Sequence, residues 1–110
     1  MRFALVGQPN SGKSTIFNHA AGYKAITSNF PGKTVTYTVS KMTFQGTTFE
    51  IVDLPGTYSL TSFDLAELET RKYLLREKVD VVINVIDASL LSRELELTIQ
   101  VLELNLPTVI

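Results

Sequence analysis

The sequence predicts a mainly parallel, doubly wound α/β sheet that carries one antiparallel hairpin. Three observations predict it. Short apolar runs alternate with helix-periodic stretches along the chain, the order that lays helices over both faces of a parallel sheet. One run, Val79 to Ile86, is apolar and β-branched almost throughout, as a strand covered on both faces must be. Gln45-Gly46 separates two strand-like segments by a turn tight enough to fold them back on each other.

The first element is Arg2 to Val6, a short apolar run read as a buried strand. It leads into Gly7-Gln8-Pro9-Asn10-Ser11-Gly12-Lys13-Ser14-Thr15, with the spacing of a phosphate-binding loop. Glycines let such a loop curl with its N–H groups inward, a nest for phosphate oxygens. A helix starting near Lys13 adds its positive end, and the Lys13 ammonium can reach the outer phosphates as a point charge. The Ser14 hydroxyl can ligate Mg²⁺. An ordinary glycine-rich turn would explain the glycines but not Lys13-Ser14 at this spacing. The helix is expected to run on to Ala21 and stop at Gly22, with His19 as a packing or surface residue.

Tyr23 to Lys33 is polar and turn-prone and has no helical periodicity, so it reads as a mobile loop. From Thr34 the pattern alternates, Val35, Tyr37 and Val39 on one face and Thr34, Thr36, Thr38 and Ser40 on the other. Thr47 to Val52 returns as the second strand of the hairpin and ends at Asp53-Leu54-Pro55-Gly56. Thr57 to Ser62 is a further loop. Asp64 to Lys78 reads as a helix with Leu65, Leu68, the stem of Lys72 and Leu75 on its inner stripe, capped by Thr61 or Ser62. After the Val79–Ile86 strand, Asp87-Ala88-Ser89 forms a loop. Leu90 to Leu104 is an amphipathic helix with Leu91, Leu95, Thr98 and Leu102 in register and Leu97, Val101 and Leu104 widening the face. Pro107 to Ile110 begins another strand, the fifth in this count. The 110 residues thus read as one domain whose sheet is cut off there, the natural domain being expected to run on past Ile110.

In such sheets ligands sit at the carboxyl ends of strands, where the phosphate loop, Asp53 and Asp87 all fall. An Asp at a strand end beside a phosphate loop holds the Mg²⁺ shell, usually through water. Gly56 can turn its N–H to a γ-phosphate. Thr34, between a loop and the hairpin, can give its hydroxyl to Mg²⁺ only when a γ-phosphate is present, ordering the loop in one nucleotide state. The competing reading makes Thr34 one more strand-facing threonine.

Composition narrows the function classes. A net charge of −1 shows no clustered basic surface for nucleic acid. The absence of cysteine and the single histidine exclude disulfides, thiolate metal sites and a soft-metal cluster, so no iron site is expected in this stretch. Val79 to Ile86 is far shorter than a membrane-spanning helix needs.

Four motifs in order carry a family resemblance: the loop Gly7 to Ser14, Asn29-Phe30-Pro31-Gly32-x-Thr34-Val35, Asp53-Leu54-Pro55-Gly56-Thr57-Tyr58-Ser59-Leu60, and Val82-Ile83-Asn84-Val85-Ile86-Asp87-Ala88. Together they resemble the amino-terminal G domain of the ferrous iron transport protein B family, along the whole chain. The resemblance implies a P-loop NTPase G domain that binds GTP and GDP and slowly hydrolyses GTP. It implies a cytosolic position at the inner membrane, followed by a helical module and a membrane permease region, with no nucleic-acid partner; self-association is left open. Carried over, the first switch is Gly32, Lys33, Thr34, Val35 and Thr36, and the second begins at Asp53, Leu54, Pro55 and Gly56. Asn10 matches the residue that places a K⁺ ion against the phosphates in potassium-stimulated members of this GTPase group, supplying charge where others use an arginine finger. Position 36 is Thr where the family often has Glu, and Gln8 replaces the commoner Asn. Thr57, in the place of the water-orienting Gln of Ras-like enzymes, is too short for that task, so backbone groups at Gly56 and Thr57 are expected to hold the water. The motif that reads guanine is absent from these residues. Two alternatives remain at this point: a potassium-stimulated GTPase of ribosome assembly or tRNA modification, and a nucleotide-sensing module with little hydrolysis.

Overall fold

The computed structural model describes residues 1–8, 12–20, 25–33, 35–57, 60, 64–87 and 91–110. In chain order these form β1 (Arg2–Gly7), α1 (Lys13–Ala20), β2 (Ile26–Asn29), β3 (Thr36–Phe44), β4 (Thr47–Asp53), α2 (Leu65–Arg76), β5 (Val81–Val85), α3 (Leu91–Glu103) and β6 (Thr108–Val109). The strands make a six-stranded sheet in the order β2-β3-β4-β1-β5-β6. β1 pairs in parallel with β4 and β5, and β5 in parallel with β6. β3 runs antiparallel to β4 and to β2. The doubly wound, mainly parallel sheet with its hairpin is therefore present.

The alternation of β1 divides the core into two layers. Ala4 and Val6 face one side, where they meet Val52, Val82, Leu74 of α2, and Leu97 and Val101 of α3. Leu5 faces the other side and packs with Ile51 and with Phe17 of α1. Successive side chains of a strand point to opposite faces, so a central strand apolar at every position must be covered twice. The hairpin turns at Gln45 and Gly46, with φ of 51° and 79°. Two positive φ values in a two-residue loop match a type I′ turn, whose twist suits the paired strands.

Three expectations are corrected. Residues 26–29, read as part of a loop, form the edge strand β2 in register with β3, Ile26 opposite Val39 and Asn29 opposite Thr36. The sheet therefore has six strands rather than five, and the last is the sixth. β2 is held by backbone bonds to one neighbour and its side chains are mostly exposed, so no apolar alternation was there to read.

Helix α2 buries a different stripe. Glu67, Glu69, Thr70 and Leu74 are its buried residues, while Leu75 is 54% exposed. Its cap is Asp64, whose carboxylate accepts the Glu67 N–H at 2.8 Å; Thr61 and Ser62 lie outside the described residues. Helix α3 buries only part of its expected face. Leu97, Thr98 and Val101 point inward, whereas Leu95, Ile99 and Leu102 are exposed. A polar pair fixes that face: the Asn84 amide of β5, buried in the sheet, donates to the Thr98 hydroxyl at 2.5 Å. His19 is on the exposed side of α1. The expected helix stop at Gly22 lies outside the described residues.

Candidate functional site

The site is built where β1 and β4 end side by side. Leu5 is in register with Asp53, so the phosphate loop and the Asp53 segment leave the sheet together. Gly7 closes β1 and Gln8, next to it, is buried. Gly12 has a φ of 93°, a left-handed conformation that a side chain would strain. Its carbonyl then accepts the Ile16 N–H at 3.1 Å, which begins α1 at Lys13. This is strand, loop and helix in the order the motif requires. Pro9, Asn10 and Ser11 lie outside the described residues.

Lys13 is the centre of the junction. Only 8% of it is exposed, and its ammonium donates to a carboxylate oxygen of Asp53 and to the Leu54 carbonyl, the latter at 2.7 Å. A buried ammonium needs such partners, because desolvating an unpaired charge is costly. Leu54 N–H donates to the Leu5 carbonyl at 3.3 Å, and Thr57 N–H donates to the Gly7 carbonyl at 3.0 Å. The Asp53-Leu54-Pro55-Gly56 segment is thus stitched by its backbone along the end of β1 and finishes on the first residue of the phosphate loop. Pro55 and Gly56 remain half-buried at that rim. Thr57 is 2% exposed and its hydroxyl has no hydrogen-bond partner. Ser14 and Thr15 are exposed on the first turn of α1. Asp87 follows β5 half-buried at the same end of the sheet.

The donor set fits Mg²⁺. A hydroxyl at Ser14 and a carboxylate at Asp53 are hard oxygen donors, few enough to leave room for water and phosphate oxygens, as Mg²⁺ prefers. Among the described residues no cluster of three or more His, Cys, Asp or Glu side chains is placed to hold a metal by itself.

The first switch segment is held differently. Phe30-Pro31-Gly32-Lys33 is a type II turn: the Lys33 N–H donates to the Phe30 carbonyl at 2.9 Å, Pro31 fixes the second position, and Gly32 takes a φ of 70°. The Phe30 N–H donates to the Val35 carbonyl at 2.9 Å, closing the loop between β2 and β3. Val35 packs against the core, Gly32, Lys33 and Thr36 are exposed, and Thr34 lies outside the described residues. The anchor is Phe30, only 4% exposed, with ring centroids 4.9 Å from Tyr37 and 6.3 Å from Tyr73 of α2. This aromatic cluster escaped the sequence reading. Its members come from the turn after β2, from β3 and from α2, and only the inward alternation of Tyr37 hinted at it.

Tyr73 is half-buried and its hydroxyl is pushed up to about 12, by burial first and then by the carboxylates of Glu77 and Glu50, against the pull of Arg2. Arg2 pairs with Glu50 at 2.8 Å and Glu77 at 3.6 Å. Burial pulls its guanidinium down, but Tyr73 and the two carboxylates outweigh that and raise it. This network borders a cleft of about 370 Å³ at the opposite end of β1 from the motifs.

The family model for ferrous iron transport protein B matches residues 1–110. The chain belongs to that family. The Fe(2+) transporter FeoB of Methanocaldococcus jannaschii is 46% identical over 102 residues, which are 93% of this chain and 15% of that relative. The G domain of the T. maritima FeoB iron transporter superposes with a TM-score of 0.92 at 38% identity, covering 98% of this chain and 68% of that one. A GDP-bound variant of the S. thermophilus FeoB G domain superposes with a TM-score of 0.91 at 39% identity, covering 98% of this chain and 42% of that one. The fold is that of a P-loop G domain, and the family is the iron-transport one rather than the RNA-serving GTPases weighed above. Among the described residues no helix is long and apolar enough to cross a membrane.

Proposed function

We propose that this chain binds GTP and GDP, hydrolyses GTP, and serves as the nucleotide switch of a ferrous iron uptake protein, on the cytosolic side of the inner membrane. The observation that carries the reading is the Lys13 junction, an ammonium at the mouth of a phosphate loop bonded to the Asp53 carboxylate and the Leu54 carbonyl. In this reading residues 1–110 are the G domain, and a helical module and a permease region of the same protein receive its state. A relative 46% identical over 102 residues is named an Fe(2+) transporter, and a GDP-bound G domain 39% identical to this chain has this fold.

The residues divide the work. The backbone from Gly7 to Thr15 wraps the phosphates, Gln8 and Ser11 among the N–H donors and Pro9 shaping the curve without an N–H of its own, and Lys13 neutralises the outer ones. Ser14, Asp53 and the Thr34 hydroxyl hold Mg²⁺, while Asn10 holds K⁺. Bound there, these ions supply charge neutralisation for the leaving and transferring phosphoryl groups. Gly56 donates its N–H to the γ-phosphate, and backbone groups of Gly56 and Thr57 hold the attacking water. Gly32 to Thr36 order around the γ-phosphate and relax when it leaves.

Single-turnover GTP hydrolysis by the intact protein in KCl and in NaCl, for wild type and Asn10→Ala, tests the chemistry. Faster turnover in KCl, lost in Asn10→Ala, is expected; equal wild-type rates in both salts refute the K⁺ role. The burial of Thr57 favours one second reading, a sensor that binds GTP and scarcely hydrolyses it. A rate no better than free GTP selects that reading.

A further inference from the structure

Between the switch turn and α2 lies a cleft of about 230 Å³. Phe30, Pro31 and Lys33 form one wall; Glu69, Tyr73 and Arg76 stand on the other. The apolar floor is the contact of Phe30 with Tyr73. The polar contents are unbalanced. Glu69 is 7% exposed, and its Oε1 is buried without a hydrogen-bond partner. A buried carboxylate oxygen left unpaired is costly, and a cation within reach repairs it. Lys33 lines the same cleft on a four-carbon stem and is exposed, and among the described residues no ion pair joins it to Glu69.

The position of Lys33 gives the pair a consequence. Lys33 is the last residue of the type II turn and immediately precedes Thr34. The Phe30 N–H donates to the Val35 carbonyl, tying the start of this loop to its end at the Phe30 anchor. Glu69 lies on the buried face of α2, the helix that follows the Asp53–Gly56 segment in the chain.

We propose that Lys33 and Glu69 pair across this cleft and, with Phe30 on Tyr73, act as positioning residues that couple the loop bearing Thr34 to helix α2. The inference rests on the GTP-switch reading. Under it, a rearrangement around Thr34 on exchange of GDP for GTP pulls on α2 through one ion pair and one aromatic contact. Coupling of this kind is a two-way effect, so a load on α2 changes nucleotide affinity by the same factor. Lys72 of α2 also lines the cleft and lies one turn from Glu69, close enough to be the competing partner. A Lys72–Glu69 pair would stay within one helix and couple nothing.

The test uses the intact protein with an environment-sensitive non-natural amino acid at Leu75, an exposed α2 position outside the cleft. Binding of fluorescent GDP and of a non-hydrolysable GTP analogue is measured separately on the same samples. The Leu75 signal is expected to differ between the two nucleotides. Lys33→Glu and Glu69→Lys should each shrink that difference several-fold, read at nucleotide concentrations that saturate each variant. The charge-swapped double variant should restore most of it, which a merely structural role for either residue would not produce. Glu69→Gln, which keeps size and removes charge, serves if Glu69→Lys melts early. Full response in Lys33→Glu, or singles and swap alike in their loss, overturns the coupling. Failure of both nucleotides to bind the wild type would instead overturn the GTP reading on which it rests.

Discussion

Two parts of the nucleotide end are held by different forces. The Lys13 junction is fixed by main-chain geometry and a buried charge. Leu54 and Thr57 bond to the carbonyls of Leu5 and Gly7, and Lys13 is enclosed with Asp53. The Phe30–Thr36 segment is fixed by one closed turn and by side chains, with Phe30 inserted beside Tyr37 and Tyr73. Backbone stitching of the first kind leaves few alternative arrangements. Aromatic docking of the second kind is worth about 0.5–1.5 kcal/mol per ring pair beyond area, so it can be exchanged for another arrangement at modest cost. The molecule thus pairs a stiff junction with a segment that can be re-seated, as the proposed switch requires.

Four substitutions would break or sharpen that contrast. Asp53→Ala should act most strongly, because it leaves the Lys13 ammonium buried beside a single carbonyl. A loss on the order of 3 kcal/mol is expected by chemical denaturation, together with loss of Mg²⁺-dependent nucleotide binding. A melting curve unchanged from wild type would show that the junction is not a charged anchor. Phe30→Leu comes next, at about 1–2 kcal/mol from lost ring contacts and packing. It should leave GDP affinity within a few-fold of wild type, since the junction is untouched. A loss of GDP binding as large as that of Asp53→Ala would erase the distinction between the two regions.

Tyr73 offers a subtler probe. Its folded-state pKa, pushed up to about 12, lies above the ordinary tyrosine value of about 10. Between those values the unfolded chain has lost the proton and the folded one keeps it. Stability is therefore present below about pH 10 and falls as pH rises toward 12. Tyr73→Phe should flatten that part of the stability profile, and an unchanged slope would remove Tyr73 from the account. The smallest effect belongs far from the site. Gln45 carries a side chain at a φ of 51°, a conformation that Asn tolerates better. Gln45→Asn should raise stability by about 0.5 kcal/mol with no effect on nucleotide binding; destabilisation would contradict the turn assignment.

What was legible in the sequence follows the same division. The phosphate loop works through backbone curvature, which only glycines at set positions permit, and through one ammonium and one hydroxyl at fixed spacing. Those demands write themselves into residue identity, so the strand, the turn at Gly12 and the helix starting at Lys13 were legible, as was the nearness of Asp53. Strand β2 could not, because its stability comes from the edge of β3 and its own side chains face solvent. The inner stripe of α2 was misread for a related reason. Leu65, Leu68 and Leu75 form a good apolar pattern, yet tertiary packing turns Glu67, Glu69 and Thr70 inward and leaves Leu75 in water. Likewise Thr98 marked the inner face of α3, but its buried partner Asn84 lies fourteen residues earlier on another element. The aromatic cluster of Phe30, Tyr37 and Tyr73 is assembled wholly from such distant parts.

The most direct test of the central claim is a titration of the intact protein with fluorescent GDP in the presence of Mg²⁺, for wild type and Lys13→Ala. Removal of a charge aimed at the phosphates is expected to weaken binding by about 100-fold or more, with unlabelled GTP competing and ATP failing to compete. Equal affinities for wild type and Lys13→Ala would contradict the assignment of this junction as the phosphate site.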